Sequence, residues 1–111
     1  MNEERREKAW RQTGDEAHFE ALAGRLKVIS HPVRLQIVTG LLDASCCVKD
    51  IWGCLGLPQA TVSQHLAALR ANGIVRGRRE GNSITYEVVD PFVKELVHFL
   101  SEVPHGQSQR S

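Results

Sequence analysis

Apolar residues recur at helical spacing through most of this 111-residue chain and switch to strict alternation in one stretch of its last third. From Glu16, the residues Phe19, Leu22, Leu26 and Ile29 fall three or four apart, which lines one face of a helix. That helix ends at Ser30-His31-Pro32, because proline disfavours helix in the residue before it. Pro32 suits the first turn of a second helix, with Leu35, Val38, Leu41 and Leu42 as its stripe and an end near Asp43 and Ala44. A third, short helix turns Val48, Ile51, Trp52 and Leu55 inward and closes on Gly56. The fourth runs from about Pro58 to Asn72 with Val62, Leu66 and Leu69 inward, and Asn72-Gly73 supplies the left-handed stop that helices favour.

The period then becomes two. Ile74 to Glu80 and Ser83 to Val89 flank Gly81-Asn82, with Ile84, Tyr86 and Val88 alternating against Thr85 and Glu87, which predicts a hairpin. Asp90-Pro91 is an N-cap with a first-turn proline, opening a fifth helix that carries Phe92, Val93, Leu96, Val97 and Leu100. The pattern divides the chain into a charged tail or loose helix over 1–15, one folded domain over 16–102, and a disordered tail over 103–111. Five helices and a two-stranded hairpin make the class mostly α.

Two short helices joined by a tight glycine-containing turn and followed directly by a hairpin form a winged helix-turn-helix. With Val62, Leu66 and Leu69 inward, the 100° step per residue turns Ala60, Gln64, Ala67 and Ala71 outward, with Thr61, Ser63 and Arg70 on the flanks. Such small residues let a helix enter a major groove about 12 Å wide. Gln59, Thr61, Ser63 and Gln64 occupy the N-terminal half, where amide and hydroxyl groups reach base edges or phosphates. His65 sits nearer the core edge, as either a phosphate contact or a packing residue.

A formal net charge of +1 argues, taken alone, against nucleic acid. Its distribution argues the other way. No acidic residue occurs from Gln59 to Arg79, a stretch that holds Arg70, Arg76, Arg78 and Arg79. One basic face on a neutral chain is what a phosphate-binding surface requires. At 41% apolar and 24% charged the chain is expected to fold as one soluble domain. No apolar run approaches the roughly 18 residues of a membrane helix. Cysteines number three, with Cys46 and Cys47 adjacent, so reduced thiols and a cytoplasmic location are expected rather than a disulfide framework.

His31-Pro32-Val33-Arg34-Leu35, Leu55-Gly56-Leu57-Pro58-Gln59-Ala60-Thr61-Val62-Ser63-Gln64-His65-Leu66, Leu69-Arg70-Ala71-Asn72-Gly73-Ile74-Val75 and Arg79-Glu80-Gly81-Asn82 together resemble the ArsR/SmtB family of winged-helix repressors. The likeness covers about residues 16 to 102. It implies a homodimer that sits on palindromic double-stranded operator DNA and leaves on binding a toxic metal, a metalloid or a reactive sulfur species. It also implies a dimer interface built from the first and last helices. Here those carry Phe19, Leu22, Leu26, Phe92, Leu96, Val97 and Phe99, stripes too apolar for one small domain to expose.

The family's arsenic-sensing pattern places Cys-Val-Cys-Asp at the start of the third helix, where this chain has Cys47-Val48-Lys49-Asp50 preceded by Cys46. Lys49 thus replaces one ligand. Arsenic(III) and antimony(III) favour soft thiolates, and Cys46 and Cys47 stand where a helix N-terminus lowers a thiol's pKa. They are the candidate inducer site, with no organic cofactor. Cys54 lies seven helical rises from Cys47, about 10 Å, and reads as a small buried apolar residue. The family's zinc site opens with Asp-x-His on the last helix. Asp90 fits, but Phe92 holds the histidine's place, and His98 and His105 do not complete the set. Alternatives are a persulfide or redox sensor, whose relatives carry a second cysteine on the last helix that is missing from Asp90 to Ser111, and a thiol enzyme pairing Cys47 with His65.

Overall fold

The structure, a computed structural model, describes residues 2–12, 14–43 and 46–104, with the side chains of residues 10–12 and 46–49 outside that description. Expectations resting on the thiols of Cys46 and Cys47, on His105 and on the tail from 105 to 111 lie outside the described residues. The order is α1 (Glu3–Gln12), α2 (Glu16–Ile29), α3 (Pro32–Asp43), β1 (Cys46–Cys47), α4 (Val48–Leu55), α5 (Gln59–Ala71), β2 (Val75–Glu80), β3 (Ser83–Val88) and α6 (Pro91–Leu100). The charged start of the chain is a helix, with Glu3 and Glu4 in its first turn, where they oppose the positive end of its dipole.

Helix boundaries follow the local chemistry. The Asp15 carboxylate accepts from the His18 N–H at the head of α2, and the Asp90 carboxylate accepts from the Val93 N–H at the head of α6. At the end of α5 the Ile74 N–H donates to the Leu69 carbonyl and the Gly73 N–H to the Arg70 carbonyl, each at 3.0 Å. Gly73 has φ 73, which an L side chain resists. The recognition helix is therefore Gln59–Ala71, with Pro58 and Asn72 as its caps.

The core gathers one face of each helix from α2 to α6 and one face of the hairpin. Val38, Val62, Leu69, Ile74 and Val93 are fully enclosed, with Leu66, Val97, Ile29 and Ile37 close behind. Removing each such side chain from water contributes about 2 kcal/mol. Two of the sequence expectations change here. The sheet has three strands in the order β1-β3-β2, because Cys46 and Cys47 pair antiparallel with Tyr86 and Thr85. Val97, expected at a dimer interface, is only 2% exposed and belongs to the protomer's own core, since α6 lays Val93 and Val97 together against α3.

Asp90 is the buried polar residue of this core, at 7% exposure. Besides capping α6 it accepts from Arg25 Nε at 2.6 Å, and the Arg25 guanidinium lies 5.9 Å from the centre of the Phe92 ring. One carboxylate thus joins α2 to the head of α6. Arg25→Ala leaves that carboxylate buried without its cation. Because Arg25 is itself more than a third exposed, water recovers part of the loss, and the expected destabilisation is about 1–2 kcal/mol. Urea unfolding of the two proteins measures it, and equal midpoints would show that the pair holds nothing.

Candidate nucleic-acid interface

Burial of Val62, Leu66 and Leu69 fixes the rotation of α5 about its axis and leaves Gln59, Ala60, Ser63, Gln64, Ala67, Arg70 and Ala71 exposed, with Thr61 half-buried on one flank. The outward face is small and polar over its N-terminal half. No acidic residue stands in its first turn, so the positive end of the helix dipole is uncompensated there. His65 lies on the same flank as Thr61, half-buried. Its Nδ1 accepts from Arg34 Nε at 3.1 Å, and its ring lies 4.5 Å from that of His31, centre to centre. Burial, then His31, then Arg34 hold its pKa below the ordinary histidine value.

The hairpin carries β2 and β3 in register from Val75↔Val88 to Glu80↔Ser83, closed by Gly81 at φ 65. Gly77 is closely packed there: a Cβ would stand 3.0 Å from Tyr86 Cε1 and 3.1 Å from Ile84 Cγ2, so those side chains would have to shift. Arg76 and Arg78 share a face, but the cations are partly spoken for. Arg76 forms an ion pair with Glu87, which is directly opposite it across the strands. Arg78 pairs with Glu80 at 3.1 Å and with Glu87 at 3.5 Å. The hydrogen bond from Arg76 holds the Glu87 carboxyl below its ordinary pKa, and bonds from Thr85 and Arg78 do the same for Glu80. Among the described residues, Arg70 and Arg79 form no ion pair. The acid-free stretch of sequence is thus less basic in space, since folding brings Glu87 across to Arg76.

Cys46 and Cys47 stand immediately ahead of α4, as the sequence predicts, and their backbone is also the edge strand of the wing's sheet. Cys54 is exposed, not buried. With Ile51, Trp52 and Leu55 setting the inward side of α4, Cys54 falls on its flank, at the rim of an open cleft that Gln36, Ile37, Gly40, Leu41 and Ile51 also line. Of the zinc-type positions among the described residues, the Asp90 carboxylate accepts from the Val93 N–H and from Arg25, and His98 lies 3.6 Å from Glu102. A thiol enzyme using His65 as the base for Cys47 meets the objection that His65 Nδ1 is already engaged by Arg34. Arg34, His31 and Glu87 are the neighbours that sequence reasoning passed over. Their partners lie 31, 34 and 11 residues away, beyond any local period.

What is built is a wing and a solvent-facing helix on one small core, the architecture of a winged helix-turn-helix regulator. The family model described as "Bacterial regulatory protein, arsR family" matches residues 31–76. The chain is 33% identical over 96 residues to the biofilm growth-associated repressor of Xylella fastidiosa, covering 86% of this chain and 84% of that one. It is 36% identical over 88 residues to the HTH-type transcriptional repressor SmtB of Mycobacterium tuberculosis, covering 79% of this chain but only 64% of that longer relative. The solved structure of reduced HlyU from Vibrio cholerae superposes with a TM-score of 0.74 at 34% identity, over 77% of this chain and 90% of that one. The chain belongs to the ArsR/SmtB family of transcriptional regulators.

The exposed position of Cys54 has a direct test. In a protein carrying Cys46→Ser and Cys47→Ser, a chromogenic disulfide reagent is expected to titrate one thiol per folded chain at a rate near that of a free thiol. Reaction only in denaturant would place Cys54 inside the core.

Proposed function

We propose that this chain is a homodimeric repressor that grips double-stranded operator DNA in the cytoplasm and is released by a thiol-seeking inducer, with arsenic(III) or antimony(III) first in line. The observation that carries the DNA reading is the exposed face of α5: Gln59, Ser63, Gln64 and Arg70 outward, Thr61 and His65 at the rim, and the arginine wing beside it. Gln64 and Ser63 read base edges, while Arg70 and Arg79, with Arg76 and Arg78 once released from Glu87, meet phosphates. Phe19 and Leu26 on α2, each 45% exposed, and Phe99 on α6, 67% exposed, support pairing through these helices, with Leu22, Phe92 and Leu96 half-buried behind them.

The inducer reading rests on the chemistry of two adjacent thiols and on the strand that contains them. Soft thiolates suit trivalent arsenic and antimony. Adjacent positions of an extended strand belong to opposite faces of its sheet, whereas two thiolates bound to one ion must converge. In this reading, capture by both releases β1 from β3. Tyr86 and Thr85 would lose their pairing partners, and the disturbance would reach Gly77 through Tyr86 and Glu80 through the Thr85 hydroxyl, which donates to it at 3.0 Å. Both lie at the base or tip of the wing. Cys54 stays outside this site, at the other end of α4.

Anisotropy titration of a labelled operator duplex across salt concentrations is expected to show affinity falling steeply as salt rises, and Glu87→Gln is expected to steepen that slope by roughly one to two phosphate contacts. A flat slope for the wild type would falsify the DNA reading. For the inducer, arsenite is expected to release the wild-type protein from DNA and to leave Cys46→Ser/Cys47→Ser bound. Release of the double variant by arsenite puts the site elsewhere, and release of the wild type by a persulfide donor alone assigns the redox alternative.

A further inference from the structure

Arg34 sits in the first turn of α3 and reaches two other helices. Its Nε donates to His65 Nδ1 on α5 at 3.1 Å, and its Nη1 donates to the Val28 carbonyl in the last turn of α2 at 3.0 Å. His31, in the turn between α2 and α3, leans on the His65 ring at an interplanar angle of 51°, and its own Nδ1 accepts from the Val33 N–H at 3.1 Å. A guanidinium has donors only. The His65 Nδ1 that receives it must hold a lone pair, so the neutral ring carries its single proton on Nε2. We propose that Arg34 is a positioning residue for DNA recognition: it fixes His65 in one rotamer and as the Nε2–H tautomer, so that this flank of the recognition helix presents a neutral hydrogen-bond donor and not a cation. The proposal rests on the DNA reading above and deepens it by assigning His65 its chemical form.

Protonation of His65 would set an Nδ1–H against the guanidinium donor, costing the hydrogen bond and placing a second cation beside Arg34. The charges that act on His65 are those of His31 and Arg34, while α2 contributes the Val28 carbonyl through Arg34. The other elements that pack most heavily on α5 are α4 and β2. Their described charged side chains, Asp50 on α4 and Arg76, Arg78, Arg79 and Glu80 on β2, are not among the groups acting on it. The direction follows. A histidine whose pKa is lower folded than unfolded contributes stability above about pH 6.5, and loses it as the pH falls through that value toward the folded pKa. His65 therefore stays neutral to lower pH than an ordinary histidine, and in that form it keeps its donor and adds no counterion-releasing contact.

Imidazole nitrogen NMR of the full-length protein reads the proposal without DNA. His65 is expected as the neutral Nε2–H tautomer at pH 7, titrating below 6.5. In Arg34→Met its pKa is expected to rise part of the way, since burial and His31 still act on it, and its tautomers to mix, while in Arg34→Lys, which keeps a donor and a charge, the rise is expected to be smaller. An Nδ1–H tautomer, or a titration that Arg34→Met does not move, overturns the proposal. DNA titration supplies the second arm: Arg34→Met is expected to weaken operator binding about three- to tenfold, the loss of one oriented hydrogen bond, and to cost little in a His65→Ala background. Equal losses in both backgrounds overturn action through His65. Failure of the wild-type protein to bind any duplex would instead sink the function proposed above, which the NMR arm does not depend on.

Discussion

The outward face of α5 depends on how that helix is rotated, and three side chains set that rotation. Val62, Leu66 and Leu69 occupy one stripe of a 13-residue helix that would be marginal on its own in water. Held by burial, the helix has no freedom to turn another face outward. The small residues opposite, Ala60, Ala67 and Ala71, then become useful precisely because they occupy little room. Arg34 and His31 add a directional restraint at the flank, where apolar packing alone would leave the ring of His65 free to change rotamer.

Charge is arranged with similar economy. A formal net charge of +1 gives little long-range attraction to DNA, so affinity must come from where the cations stand. On the wing, Glu87 and Glu80 hold Arg76 and Arg78 in place before any phosphate arrives. Such exposed pairs contribute little to stability. Their effect is to hold the two arginines in defined positions on the wing.

The two-residue strand β1 makes the cysteine pair part of the wing's sheet. A ladder of only Cys46↔Tyr86 and Cys47↔Thr85 is short enough to be broken at modest cost, and it lies at a sheet edge, where no further strand among the described residues reinforces it. The Arg25 to Asp90 pair performs the opposite task. A buried carboxylate that both caps α6 and binds α2 keeps the two helices with exposed aromatic residues in fixed relation.

The sequence by itself determined the local architecture. Period 3.6 marked the four helices from Glu16 to Ala71, period 2 marked the hairpin, and Asp90-Pro91, Asn72-Gly73 and Gly81-Asn82 placed the breaks, because caps and left-handed turns are satisfied within a few residues of where they are written. The outward face of α5 was legible for the same reason, since one stripe fixes the opposite one. Tertiary structure decided the rest. It put Cys46 and Cys47 on a strand too short to have a period, Glu87 opposite Arg76, Asp90 against a cation 65 residues away, and Val97 inside rather than outside. It also turned Cys54 out to the flank of α4. Each of these depends on which distant segment arrives beside a residue, and the spacing of neighbours along a chain carries no record of that.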